Sequence, residues 1–247
     1  MINTKAIIEI LYNEEVSEEI RDLLEVLCSP DREKNDDVIF RLHSLVLSET
    51  HYEWYVFLEF LYKSIPDLLT YFTRLHGGFF SGCQFLENIT IPKNIQQLDR
   101  GCFYNCKNLK TVKVEEGSEL RTIDEFVFDG CKKLEMVDIS AAENFYKYEE
   151  FDSVDTKHDI LLKLPNTFKQ FNSHSLTNCW KVEFPTINSI ADLELTIAPK
   201  ALLGTNGHWR DEPVVIGTKT NSDTLEVYDE KIELGPILEQ NKNIIVG

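Results

Sequence analysis

The spacing of apolar residues divides the chain into two regions. Up to about residue 76, apolar residues recur at intervals of three and four, as in amphipathic helices. Ser17 is placed to cap the first of these helices, Pro66 suits the first turn of the last, and Gly77-Gly78 ends it. We predict four short helices in a small bundle. Their apolar stripes lie at 20–27, 38–46, 52–61 and 68–75, and Ile7, Ile8 and Leu11 precede them at the same spacing.

From Gly77 onward the pattern becomes a repeat. A block of the form Phe-x-x-Cys-x-x-Leu occurs three times, with its cysteines at Cys83, Cys106 and Cys131, which are 23 and 25 residues apart. Each block is followed by two apolar residues that flank one other residue, as in Ile89-Thr90-Ile91. Alternation of this kind predicts a short strand with one buried face.

Weaker copies of the block continue the repeat. Cys179 follows Pro165 by 14 residues, as Cys106 follows Pro92. Val154 takes the place of the cysteine in a degenerate unit between Ile139 and Leu164, and Thr205 takes it in the last unit. The long separation between residues 184 and 197 predicts an insertion or a distorted turn. A regular interval over six units indicates a solenoid, in which stacked units share one core.

The repeated unit, with a proline after the strand, resembles the BspA-type leucine-rich repeat, also called the Treponema pallidum type. The resemblance covers roughly residues 79–216 and is strongest in the first three units. It implies a curved stack, with a short-stranded parallel sheet on the concave side and turns or short helices on the convex side. We therefore expect an α+β fold with a helical domain and N-terminal cap at 1–76, a solenoid at 77–216 and a C-terminal cap at 217–247.

The repeat accounts for most of the apolar residues and cysteines. The cysteines of the block are expected to be small buried residues rather than metal or redox groups. Cys102 occupies the repeated position that Val127 and Ala201 take in other units, which is expected to be a small buried site. The residues expected to point inward are Leu86, Ile89, Ile91, Leu109, Val112, Val114, Leu134, Val137 and Ile139.

Charge and motifs narrow the functional classes. The formal net charge of −17 argues against binding to nucleic-acid phosphates, which requires lysine and arginine clusters. Phosphate loops, nucleophile elbows and metal-ligand spacings are not found, so we expect no enzyme, cofactor or metal. The N-terminus does not have the form of a secretory signal, and no run of apolar residues is long enough for a membrane helix. We expect a cytoplasmic location and no membrane partner.

The outward positions of the predicted strands are the candidate binding site. Mixed polar and charged residues there suit recognition of another protein. We predict a non-catalytic interaction or scaffold protein; a viral or phage origin is one interpretation. The alternatives are an acidic inhibitor or nucleic-acid mimic that acts on a nucleic-acid-handling or host-defence protein, and an enzyme with a pocket where the helices meet the solenoid. The candidate partner-binding residues are Thr90, Lys113, Asp138, Lys163, Glu183 and Val215.

Overall fold

A computed structural model provides the fold of the chain. It describes residues 17–29, 36–49, 53–65, 67–148, 160–168, 170–171, 179–184, 196–197, 214–218, 224–227 and 244–246. The predictions made for Ile7 to Leu11, Val154, the insertion between 184 and 197, Ala201, Thr205 and the side chain of Cys179 lie outside the described residues.

Three of the predicted helices are confirmed. They are α1 (Glu18–Cys28), α2 (Asp36–Glu49) and α3 (Trp54–Ser64). Ser17 caps α1, because its hydroxyl accepts a hydrogen bond from the Ile20 amide at 3.3 Å. The predicted apolar stripes of all three helices face a core that is continuous with that of the repeats.

The fourth predicted helix is wrong. Leu68–Tyr71 form a single 3-10 turn, and Arg74–Leu75 form the strand β1. The carboxylate of Asp36 accepts a hydrogen bond from the Thr73 amide at 2.6 Å, and the Thr73 carbonyl accepts one from Gln96. The backbone of this segment thus bonds to a neighbouring helix and to the next repeat. The apolar residues spaced three and four apart here are buried against these neighbours and do not form an α-helix.

The strands of the described residues form one long sheet and two short ones. The long sheet joins β2 (Asn88–Ile91), β4 (Thr111–Val114), β6 (Met136–Asp138), β8 (Ile160–Lys163), β10 (Cys179–Phe184) and β12 (Val214–Thr218) in parallel. Two antiparallel strands extend it, β13 (Thr224–Val227) and β14 (Ile244–Val246). The short parallel sheets are β1, β3 (Gln97–Leu98), β5 (Thr122–Ile123) and β7 (Lys147–Tyr148), and β9 (Gln170–Phe171) with β11 (Thr196–Ile197).

Parallel strands one repeat apart confirm the solenoid and the α+β fold class. The register places Ile89 beside Val112, and Val112 beside Val137. Nearly all the residues expected to point inward are buried; Val114 is buried only in part. The division into 1–76, 77–216 and 217–247 remains a prediction, although β1 already pairs with the second repeat before residue 77.

The turn side of each repeat stacks on the next turn through rings and thiols. The rings of Phe80, Phe103 and Phe128 are nearly parallel, with centroids 5.2 and 5.8 Å apart. The thiol of Cys106 donates to the Phe80 carbonyl at 2.9 Å, and the thiol of Cys131 donates to the Phe103 carbonyl at 3.1 Å. In these two repeats the cysteine is therefore a small buried residue that also satisfies a buried carbonyl of the preceding repeat.

The residue before each of these cysteines adopts a left-handed backbone. It is Gly82 with φ of 74°, Asn105 with φ of 57° and Gly130 with φ of 74°. Glycine and asparagine tolerate this conformation better than other residues. The turn consequently keeps one conformation in all three units.

The helices meet the first repeat through an aromatic junction. The indole of Trp54 donates to the Phe79 carbonyl at 2.7 Å. The ring of His43 stacks between Trp54, at 4.4 Å, and His76, at 5.3 Å. Burial lowers the pKa of His43 to about 4, with a further contribution from His76, and burial also lowers the pKa of His76. Both imidazoles are therefore neutral near pH 7.

Shortening the middle ring of the phenylalanine stack should cost more than shortening its exposed neighbour. We expect Phe103→Ala to lower the free energy of unfolding by about 3–5 kcal/mol, because a fully buried aromatic leaves a cavity. The matched change Tyr104→Ala removes a ring that is 43% exposed and should cost about 0.5 kcal/mol. Urea unfolding measures both, and equal losses would contradict the stacked core.

Adding a methyl group to Gly130 should destabilise the turn stack. A Cβ atom there would lie 2.2 Å from the Asn105 side-chain oxygen, in a left-handed backbone. We expect Gly130→Ala to cost at least about 2 kcal/mol. Gly117→Ala is the control, because Gly117 has φ of 72° and no atom within 4 Å of an added Cβ.

The control should cost only the backbone strain, about 1 kcal/mol. Asn105→Gly should recover part of the loss in Gly130→Ala, since it removes the clashing oxygen. Chemical unfolding of the two single variants and the double variant tests this, and strictly additive losses would disprove the contact.

Stability should decrease on acidification through the histidine junction. The folded-state pKa values lie below the unfolded value of about 6.5, so the unfolded chain takes up protons first. The stability present above pH ~6.5 is lost as the pH falls toward about 4, the pKa of His43. His43→Phe keeps a stacked ring that does not titrate. Between pH 7.5 and pH 5 its free energy of unfolding should fall by about 1 kcal/mol less than that of the wild type, after allowance for solvent screening.

The difference between the two proteins isolates His43 from the charged groups near His76, which are Asp36, Arg74 and Asp99. Urea midpoints between pH 7.5 and 4.5 provide the measurement. Parallel curves for wild type and His43→Phe would rule out the junction as the source of the pH dependence.

Candidate functional site

The register of the long sheet aligns five of the six predicted site residues in one outward row. Thr90 is beside Lys113, Lys113 beside Asp138, and Asp138 beside Lys163, which is beside Glu183. Thr90 and Lys113 are exposed, and the other three are partly exposed. Strand alternation places them on the face opposite the core, because Val112, Val137 and Leu162 between them are fully buried. We call this row of five residues the charged row.

Val215 does not continue the charged row. It is in register with Lys181, and the position beside Glu183 is Gly217. The offset lies in the pairing of β10 with β12, since Glu183 still pairs with Lys163 on its other side. The sequence indicates only the alternating segment at 214–216 and not its register against β10, so Val215 was placed two residues out of line.

Charges in the row alternate and neutralise each other. The Lys163 ammonium lies 3.9 Å from an Asp138 oxygen and 3.5 Å from a Glu183 oxygen. Asp138 also accepts a hydrogen bond from the Ser140 hydroxyl at 2.6 Å. These contacts place Lys163 between two carboxylates at ion-pair distance, and Ser140 orients Asp138. Within the described part of the chain, the ammonium of Lys113 makes no ion pair, so it is the charge in the row most available to a partner.

A second outward row lies two residues before the first. It contains Asn88, Thr111, Met136 and Leu161, each in register with the next, and leads to Lys181 and Val215. The Thr111 hydroxyl donates to the Asn88 side-chain oxygen at 2.7 Å. Met136 and Leu161 are partly exposed, so the row changes from polar to apolar along the sheet. Sequence reasoning missed it, although the alternation that located the charged row also predicts it.

The cysteines have the environment of inert thiols. Cys83, Cys102 and Cys131 are buried, and burial raises the pKa of each thiol above its usual range. A thiolate, the reactive form of cysteine, is therefore disfavoured at these sites. This agrees with the packing role expected for the block cysteines.

The junction between helices and repeats brings two histidines together. His43 and His76 are far apart in sequence, so no spacing rule could pair them. The Nδ1 atom of His76 lies 2.9 Å from the Gly77 carbonyl, and its buried Nε2 atom has no hydrogen-bond partner among the described residues. The rings of Phe40 and Phe79 also contact His76. The pair is thus enclosed mainly by aromatic rings, without the base-and-nucleophile contact that acyl transfer uses.

No group of three or more histidine, cysteine or acidic side chains suited to a metal occurs in the described ranges. Among those ranges, no helix is both long and apolar enough to cross a membrane.

Comparison with known proteins agrees with the repeat architecture. The family model for the BspA type leucine-rich repeat region matches residues 64–195 in six copies, which is more than half of the chain. A solved leucine-rich cell-surface protein of Faecalibacterium prausnitzii is 15% identical, with a TM-score of 0.38. The likeness covers 63% of this chain and 47% of that one, so the chain spans about half the length of that protein. No curated protein matches the chain.

The family match begins before residue 79, where the sequence resemblance starts, and this agrees with the pairing of β1 to the second repeat. The family repeat is the same repeated unit that the phenylalanine stack, the thiol hydrogen bonds and the parallel strand register define in the structure. The chain belongs to the BspA-type leucine-rich-repeat family.

Proposed function

We propose that this protein is a non-catalytic interaction or scaffold protein that binds another protein through the outward face of the long sheet. The observation that carries the proposal is the pairing of two different rows on that face. The charged row presents fixed, alternating charges, and the second row presents Met136 and Leu161 beside them. A partner of complementary charge pattern and with an apolar patch would match both rows at once.

Fixed charges make this face suited to selective binding. Lys163 is held between Asp138 and Glu183, so little side-chain entropy remains to be lost when a partner binds. Charge patterns of this type mainly set specificity and the association rate, whereas buried apolar contacts supply most of the affinity. Lys113 and Met136 are accordingly the residues from which we expect the largest contributions.

The acidic inhibitor or nucleic-acid mimic is the second candidate, and the net charge of −17 motivates it. A mimic needs carboxylates aligned along one face to resemble a phosphate backbone. In the charged row, two lysines stand among two carboxylates, which favours an ordinary protein partner over a mimic target. A cytoplasmic location, with no membrane partner and no direct nucleic-acid binding, belongs to the proposal of an interaction or scaffold protein.

Photo-crosslinking from single positions of the full chain tests the proposal. A photoreactive amino acid at Thr90 or Lys113, both exposed on the outward face, should capture one and the same protein in the native cell. Lys107 and Lys132 are exposed on the turn side and provide matched control positions. Mass spectrometry of the crosslinked species identifies the partner.

Further changes then test affinity for that partner. Lys113→Glu should weaken binding about tenfold, as expected for reversal of one contact charge, and Met136→Ser by a similar factor. Capture from the control positions alone would contradict the proposal. Capture of a nucleic-acid-handling protein, with affinity that decreases steeply with salt, would favour the acidic alternative.

A further inference from the structure

A groove crosses the turn side of the first three repeats, away from the long sheet. It has a volume of about 490 Å³, within the range of small-ligand sites. Its lining comes from two positions of the repeated block, five and two residues before the cysteine, together with Arg100.

The position five residues before the cysteine forms the floor and one wall. It is Gly78 in the first repeat, Gly101 in the second and Phe126 in the third, and all three have left-handed backbones. At Gly101 the nearest atom to an added Cβ is the Tyr104 Cβ at 3.7 Å, so another main chain can approach there, whereas at Gly78 the His43 ring lies only 3.2 Å from that position. The ring of Phe126 closes the groove at the third repeat.

Phe126 has an unusual conformation for its residue type. Its φ of 56° is rarely adopted by a bulky residue, and the two preceding repeats place glycine at this point of the turn. The turn therefore tolerates strain that glycine would relieve. Strain of this kind at a surface ring is grounds for a functional hypothesis, since the ring is not required by the turn itself.

The aromatic wall already holds a cation. The guanidinium of Arg100 lies 4.6 Å from the centroid of the Phe126 ring, and 3.9 Å from a Glu125 oxygen. This geometry shows that the ring face suits a planar cation, and that Arg100 occupies this position when no partner is bound. Tyr104, which is 43% exposed, supplies a second ring in the lining.

The charges in the groove favour a cationic ligand. Asp129 contributes a carboxylate to the lining, and no cation among the described residues pairs with it. Arg100 is the lining cation and already has both Phe126 and Glu125 as partners. The net charge of −17 adds long-range attraction for basic segments.

We propose that this groove is a docking site for an extended peptide segment of a partner protein, with its main chain over Gly101 and an arginine side chain that takes the place of Arg100 between Tyr104, Phe126 and Asp129. The arginine would stack on aromatic rings and donate to the free carboxylate. The site is distinct from the outward face of the long sheet and does not depend on the function proposed for that face.

Binding of synthetic peptides to the full chain tests the site. The probes are fluorescein-labelled, C-terminally amidated Gly-Arg-Leu-Gly-Arg-Leu, and the same peptide with glutamate in place of arginine. We expect the arginine peptide to bind and the glutamate peptide not to bind. Fluorescence anisotropy gives the affinities, and amide chemical shifts of Gly78 and Gly101 locate the peptide.

Two variants address the wall and the carboxylate. Phe126→Gly restores the residue type of the first two repeats, so it should fold, and it should weaken the arginine peptide about tenfold. Asp129→Asn should weaken it about threefold to tenfold. The controls are Tyr146→Ala, which removes a ring that is 66% exposed just before β7, and Glu116→Gln, which removes an exposed negative charge elsewhere.

The controls should bind the arginine peptide as the wild type does. Equal weakening in Phe126→Gly and Tyr146→Ala would show that no specific ring is recognised, and equal weakening in Asp129→Asn and Glu116→Gln would show attraction by overall charge; either result would overturn the proposal. Absence of binding, equal binding of the glutamate peptide, or shifts confined to the long sheet would also overturn it.

Discussion

The contact between one turn and the next is the interaction on which the rest of the structure depends. A single repeat has two short strands and one turn, which cannot bury the apolar side chains of that unit alone. The turn solves this by stacking its phenylalanine on the preceding ring and by donating its cysteine thiol to the preceding carbonyl. Once the turns are stacked, the strands of successive repeats lie in register, and the outward rows follow from that register.

The same constraint separates positions that build the protein from positions free to bind. Inward strand residues, the cysteine and its phenylalanine are fixed by burial, because a change in their volume disturbs two neighbouring repeats. Outward strand residues and the residue two before the cysteine are not constrained in volume by burial. The latter position holds Ser81, Tyr104 and Asp129 in the first three repeats. Binding specificity can therefore change while the stack remains.

The sequence predicted well those features that recur with the repeat. Alternation identified the buried residues and the charged row, and the recurrence of Phe-x-x-Cys identified the turns. Features that occur once were missed, because each depends on contacts distant in the chain. The segment at 68–75 has helical spacing but bonds to Asp36 and the second repeat, and the stacking of His43 on His76 joins a helix to a turn. The strained backbone of Phe126 likewise has no sequence signal, except that the first two repeats have glycine at the equivalent position.

The central claim is that the outward face binds a partner through its charge pattern, while stability resides in the stack. An inverted row tests it most directly, with Lys113→Glu, Asp138→Lys, Lys163→Glu and Glu183→Lys in one chain, so that opposite charges again lie side by side. We expect the free energy of unfolding to fall by only about 1–2 kcal/mol, because the hydrogen bonds from Ser140 to Asp138 are lost, whereas affinity for the crosslinked partner falls at least about tenfold. Unchanged affinity in a folded protein of unchanged stability would contradict it.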